Sequence, residues 1–203
     1  MQIPSVYLER AVDQLGSLPG VGRRTALRLA LDLLKRNDIE IEDFVSALSA
    51  LKDKVLRCTS CGNITDTPIC NICSNPKRDA TLICVVEDIR DVMAIESTST
   101  FNGRYHVLGG LISPMDGIGP QDLNISSLPE RIEKSAPKEI ILALSPTMEG
   151  DTTNFYIYKK IKAFDVLITR ISRGIAVGSE LQYADELTLG RSLQQRQVFD
   201  FGQ

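Results

Sequence analysis

The chain has 203 residues, enough for one large or two small domains, and its 43% apolar content can supply a normal core. Formal net charge is −3, which argues against a protein that coats nucleic acid by bulk charge and leaves room only for a local basic patch. No apolar run approaches the roughly 18–20 residues of a membrane span. The opening "MQIPSVYLER" lacks a charged-then-apolar leader, so a soluble, cytoplasmic protein is expected.

In chain order, residues 5–15 carry Tyr7, Leu8, Ala11, Val12 and Leu15 at helical spacing. "LPGVG" at 18–22 interrupts them. A second helix follows, with Ala26, Leu29, Ala30, Leu33 and Leu34 on its apolar face. Positive charge gathers here: Arg23, Arg24, Arg28, Lys35 and Arg36 stand against Asp32 alone, and the acidic run "DIEIED" comes next. A third helix is expected over about 41–56, with Phe44, Leu48, Leu51 and Val55 as its stripe. The turn-rich segment 58–73 ends this helical region.

Beyond it, "TLICVVE", "YHVLGG", "EIILALS" and "VLITRIS" read as strands, with "RDVMAIES", "LPERIEKS" and "NFYIYKKIKAF" as helices between them. Strands that are apolar on both faces and alternate with helices predict an α/β domain with a parallel sheet. The tail "ELQYADELTLGRSLQQRQVFDFG" is mixed and shows no clear core element.

Four motifs carry chemistry. Cys58, Cys61, Cys70 and Cys73 form C-x2-C-x8-C-x2-C, which supplies four thiolates for tetrahedral Zn²⁺. A four-sulfur shell leaves no open position, so such a zinc is structural, and Gly62 eases the turn after Cys61. An iron–sulfur cluster is the lesser alternative, and Cys84 is read as a core residue. The "LPGVG" turn lacks the Lys-Ser/Thr of a nucleotide-binding P-loop and follows a helix rather than a strand. It reads instead as a helix–hairpin–helix. Gly20 and Gly22 would let the backbone approach a phosphate, and Arg24 and Arg28, one turn apart, would flank it without reading sequence. The bland alternative is a packing corner.

Glu87 ends the first strand of the sheet, and Glu149 and Asp151 follow "EIILALS". Carboxylates at the C-terminal ends of parallel strands face the usual ligand crevice and could bind Mg²⁺, or could be solvated loop acids. His106, the sole histidine, is read as a packed or surface residue rather than a general base. "MDGIGP" (115–120) is turn chemistry.

The order of these parts resembles the RecR family of bacterial recombination mediators over essentially the whole chain: "LPGVGRRTALRLA", "CTSCGNITDTPICNIC", "ICVVEDIRDVMAIE", "YHVLGGLISPMDGIGP", "SPTMEGDTT" and "ELQYADELTLGRSL". The resemblance implies a helix–hairpin–helix domain (1–57), a four-cysteine zinc finger (58–73), a Toprim domain (80–177) and a C-terminal Walker-B-like segment (178–203) that includes Tyr183, Asp185 and Glu186. It places DNA contacts at Arg24 and Arg28, zinc ligands at Cys58, Cys61, Cys70 and Cys73, and the first Toprim acid at Glu87. The Asp-x-Asp of catalytic Toprim enzymes is replaced by Glu149-Gly150-Asp151, which implies a non-enzymatic role. The implied function is a homotetrameric, ring-shaped DNA clamp that acts with RecO and RecF to load RecA on gapped or single-stranded DNA. The rival is a Toprim-type Mg²⁺-dependent nuclease or primase-like enzyme.

Overall fold

A computed structural model describes residues 3–198 and divides into two compact units, 1–55 and 56–203. The first unit is helical. Helix α1 (Val6–Gly16) is N-capped by the Ser5 side chain, and α2 (Arg23–Leu33) packs against it. Their shared core is Val12, Ala26 and Ala30, surrounded by Leu8, Leu15, Val21 and Leu27. The two alanines on α2 let the helices approach closely.

Helix α3 (Asp38–Asp53) begins earlier than the apolar periodicity suggests. Asn37 and Glu40 form a reciprocal capping box, so the acidic run is the first turn of the helix rather than a linker. Its acids also suit the positive end of the helix dipole. Among the described residues, nothing buries the expected stripe. No residue of α3 is buried, and Leu48 and Leu51 are 52% and 63% exposed.

The second unit opens with a two-stranded hairpin, β1 (Leu56–Arg57) and β2 (Ile64–Thr65), and a short helix α4 (Asn71–Ser74). A four-stranded sheet follows: β3 (Leu82–Val86), β4 (Arg104–Val107), β5 (Glu139–Leu142) and β6 (Leu167–Arg170). All pairings are parallel, in the order β4-β3-β5-β6. The chain leaves β3 to one side for β4 and returns to its other side for β5. The C-terminal end of β3 is thus the switch point where a parallel sheet opens a crevice.

Alternate residues of β3 supply the two faces. Ile83 and Val85 join Leu128 and Ile132 of α6 (Ser127–Ser135) and Ile157 and Ile161 of α7 (Met148–Ile161). Cys84 and Val86 join Tyr105, Val107 and Val92, the last from α5 (Ile89–Ser97). Burial on both faces explains the unbroken apolar strands. Burial also pushes the Cys84 thiol up to about 12, so it is an unreactive core residue. Arg78 binds Glu96, which also accepts from the Tyr105 hydroxyl at 2.7 Å, tying α5 to β4. The segment 115–120 is a turn, with Gly117 left-handed and Ser113 bridging to Ile118. The tail does form a helix, α8 (Glu186–Gln194), although none of its residues is buried.

His106 is fully buried on the α6 side of β4. Its Nε2–H donates to the Asn124 carbonyl at 2.7 Å, which leaves Nδ1 to accept from Arg131 at 3.3 Å. Burial holds the imidazole down at about 4, further lowered by the Arg131 charge. Between about pH 4 and 6.5 the unfolded chain therefore binds a proton that the folded chain refuses, and stability falls as pH falls through that window. Urea unfolding of the wild type should lose about 2 kcal/mol between pH 7 and pH 5 from this group. His106→Gln should remove that part of the pH dependence, and an unchanged slope would refute the buried neutral state.

Gly150 sits in the first turn of α7, where a Cβ would lie 1.9 Å from the Ser145 carbonyl oxygen. Gly150→Ala should cost about 3 kcal/mol, the upper end of overpacking, in chemical denaturation.

Candidate metal centre, hairpin turn and acidic strand end

The β1–β2 hairpin and α4 each present one C-x2-C pair. Cys58 N–H donates to the Asn63 carbonyl at 2.7 Å, and Gly62 N–H to the Cys58 carbonyl at 2.8 Å, closing the first loop. In the second, the Cys70 sulfur caps α4 by accepting from Cys73 N–H, while the Cys58 sulfur accepts from Cys70 N–H. All four cysteines are buried, and their sulfurs lie within 4.8 Å of one another. Cys61 and Cys70 Sγ are 3.6 Å apart. Tetrahedral Zn²⁺ with Zn–S bonds of about 2.3 Å places its sulfurs about 3.8 Å apart, so the donor set fits zinc.

Charge makes the same point. The hydrogen bond with Cys73, and then burial, push the Cys61 thiol up, and burial pushes Cys70 up, while hydrogen bonds from Cys61 and Ser60, with the Arg131 charge, draw Cys73 down to about 5. Four buried thiolates become stable together only with a cation among them. Zinc bound by Cys58, Cys61, Cys70 and Cys73 would be closed to substrate and would supply folding energy rather than chemistry.

The knuckle is fastened to the sheet. The Cys61 carbonyl accepts the Val107 N–H at 2.7 Å, on the edge of β4 that faces away from β3. Gly62 is left-handed there, and a Cβ on it would fall 2.7 Å from the Val107 carbonyl oxygen. The glycine is thus required both by its φ of +76° and by close docking.

The hairpin turn lies in the first unit. Gly20 has φ +79°, and Val21 N–H closes the turn on the Leu18 carbonyl at 3.0 Å. Gly22 is the N-cap of α2 and offers no side-chain oxygen, so the first N–H groups of α2 lack the usual cap. Nothing lies within 4 Å of where a Cβ on Gly20 or Gly22 would sit. Arg23 bonds Asp13 at 3.0 Å and Glu9 at 3.4 Å, fastening α2 to α1. Arg24 and Arg28 are exposed and enter no ion pair among the described residues.

The acids of the sheet are differently placed from the sequence expectation. Glu87 does follow β3, at the switch point, and burial with the charges of Asp91 and Asp88 raises its carboxyl. Glu149 and Asp151 lie not in a loop but in the first turn of α7, because Thr147 caps that helix and acids favour its positive end. Glu149 is exposed. Asp151 is gripped by both Arg173 Nη atoms, and these hydrogen bonds hold its carboxyl below the usual range. Among the described residues, the cysteine quartet is the one group of three or more metal-ligating side chains held close enough for a single ion. Glu87, Glu149 and Asp151 are not gathered into a Mg²⁺ cage.

In the tail, Tyr183 is exposed, Asp185 is spent capping α8 through Thr188 N–H at 2.8 Å, and Glu186 opens that helix. Sequence reasoning missed Arg131 and Arg173. Each acts on a partner distant in the chain, and no motif marks either one. No described helix is long and apolar enough to cross a membrane.

The metal centre can be tested directly. A Cys58→Ser/Cys70→Ser chain should lose stoichiometric zinc and melt about 10 °C or more below the wild type. Its Val107 amide should lose protection in hydrogen exchange, since the knuckle alone holds that N–H. Unchanged melting and protection would refute the structural role.

Four family models match the chain: the RecR helix-hairpin-helix over residues 8–52, the RecR four-cysteine zinc finger domain over 55–75, the Toprim domain over 81–172 and the RecR C-terminal segment over 174–197. Curated relatives agree along nearly the full length. The recombination protein RecR of Bacteroides thetaiotaomicron is 57% identical over 198 residues, covering 98% of this chain and 97% of its own. That of Parabacteroides distasonis is 59% identical over 197 residues, covering 97% and 95%. That of Flavobacterium psychrophilum is 54% identical over 200 residues, covering 98% and 97%. With the quartet, the turn and the parallel sheet falling in the matched order, the chain belongs to the RecR family of recombination proteins.

Proposed function

We infer that this protein is a non-enzymatic DNA clamp and adaptor of recombinational repair. It holds the DNA backbone at the Leu18–Gly22 turn and acts with RecO and RecF to promote RecA loading on gapped or single-stranded DNA. The observation that carries the reading is the open turn. The uncapped N–H groups of α2 and the unpaired Arg24 and Arg28 leave backbone and side-chain donors together at one exposed point. That arrangement suits a phosphate and reads no base. One such contact is weak on an acidic chain. A ring of four copies would multiply it, and the exposed apolar face of α3 is a surface that self-assembly could cover.

A non-enzymatic role is supported by the site's own residues. Asp151 is neutralised by Arg173, Glu149 stands apart in solvent, and the one histidine is buried with both nitrogens engaged. Membership of the RecR family supports RecO and RecF as the partners in this reading.

Light scattering and salt-dependent titration of a gapped duplex test the reading. The wild type should form a tetramer-sized species that binds the duplex. Arg24→Ala/Arg28→Ala should weaken binding at least about tenfold and shallow the log–log salt slope by about 2. Equal binding by the variant would reduce the turn to a packing corner. Nicking of supercoiled plasmid with Mg²⁺ or Mn²⁺ that is lost on Glu87→Ala would establish the enzyme instead.

A further inference from the structure

A second basic feature lies in the other unit, at the opposite end of the sheet from the acids. A cavity of about 240 Å³ opens between the knuckle, the start of β4 and one side of α6. Arg104, Arg131 and Lys134 line it. Arg104 opens β4 and shares its α6-facing side with His106; Arg131 and Lys134 lie three residues apart on α6. Two guanidiniums thus share one small space.

Neither has a carboxylate partner, although the sulfurs of the metal centre lie near enough to Arg131 to favour its charge. Among the described residues no carboxylate lies within ion-pairing reach of Arg104 or Arg131. Arg104 Nε is shut away from solvent without any hydrogen-bond partner. An orphaned buried donor costs about 1–3 kcal/mol, and its neighbour is a like charge. Burial disfavours the charged form of Arg131; sulfurs of the metal centre favour that form, and the Arg104 charge disfavours it. Arg131 spends one nitrogen on the Tyr105 carbonyl and the His106 ring. The one acid on the rim, Glu130, is mostly exposed and loosely paired with Lys134 at 3.9 Å. The hydroxyls of Ser127 and Ser135 already donate elsewhere, to Asn124 and to the Arg131 carbonyl. The free donors of the cavity are therefore cationic.

We propose that this cavity binds a phosphate group. Donors reach it from β4 and from two positions on α6, and a tetrahedral oxyanion can present oxygens in all these directions, whereas a planar carboxylate presents two. Arginine forks match phosphate in charge and geometry. The phosphate comes either from a free phosphate compound or from a nucleic-acid backbone. The second source rests on the clamp reading and adds a contact to it; the first does not.

The test uses the zinc-loaded full chain, with Arg104→Met and Lys134→Glu as variants. Lys134 is exposed and its pair with Glu130 is loose, so its replacement costs little stability and keeps the fold even if Arg104→Met proves unstable. Zinc content and melting temperature check each variant. Inorganic phosphate is titrated by calorimetry against a chloride control, and oligo-dT by fluorescence anisotropy over a salt series. Saturable phosphate binding that weakens about tenfold in Arg104→Met and severalfold in Lys134→Glu supports a site for free phosphate. Oligo-dT binding that weakens severalfold in both, with a salt slope shallower by about 1, supports the backbone source. Phosphate and oligo-dT titrations indistinguishable from the wild type in folded variants overturn the proposal. The same oligo-dT titration on Arg24→Ala/Arg28→Ala separates the two readings: loss there with none in Arg104→Met rules out the backbone source here, and with an unchanged phosphate titration sinks this site alone, whereas the reverse sinks the turn alone.

Discussion

The bond from Val107 N–H to the Cys61 carbonyl is the constraint on which the second unit turns. Strand β4 is the edge of a parallel sheet, and an edge strand presents unpaired backbone groups that must be covered. The knuckle covers it, and can do so only while its two loops are held face to face. That depends on four sulfurs converging, which in a buried place requires a cation. Metal, knuckle and edge strand therefore form one chain of dependence. Gly62 is its tightest point, because any side chain there would push the knuckle off Val107.

The layer between β4 and α6 shows what this docking demands of the interior. A sheet face would ordinarily be apolar throughout, yet His106 and Arg131 lie in it. Their polarity is absorbed by reciprocal pairing: the imidazole donates to Asn124 and accepts from Arg131, which also donates to Tyr105. Asn124 turns its amide to the Val107 carbonyl at 3.1 Å, so the same loop that satisfies the histidine closes the strand end beside the knuckle. A buried network is favourable only when every member is satisfied. The bond from Arg131 to the ring exists in only one protonation state of the histidine, which is why its neutrality and the docking of the knuckle are linked.

Much of this is legible in the sequence. The quartet can be read because ligand spacing is local, and the parallel sheet because burial on both faces erases alternation. The starts of α3 and α7 escape the sequence reading for a common reason. Apolar periodicity marks where a helix packs, whereas the first turn is set by capping, through Asn37 with Glu40 and through Thr147. Glu149 and Asp151 fall outside the periodic stretch and so read as residues of a strand-end loop. The stripe of α3 is visible, but periodicity does not say what covers a stripe, and nothing within this unit buries it. Arg131, Arg104 and Arg173 are invisible, since each gains its meaning from a strand or helix brought beside it by the topology.

The hairpin turn illustrates how a weak element can be kept available for a ligand. A Gly at an N-cap is only a few tenths of a kcal/mol worse than Ser or Asn, because water takes the place of the missing side-chain oxygen. The helix therefore loses little by leaving its first N–H groups open, whereas a serine at Gly22 would occupy them. Arg23 shows the contrast on the next residue: its guanidinium is spent on Glu9 and Asp13, which fixes the angle of α2 against α1. Structural and available cations are thus separated by one position along the helix. The packing of α2 on α1 fixes the donors, and the absence of a side-chain cap leaves them free, which is the arrangement that the proposed phosphate contact requires.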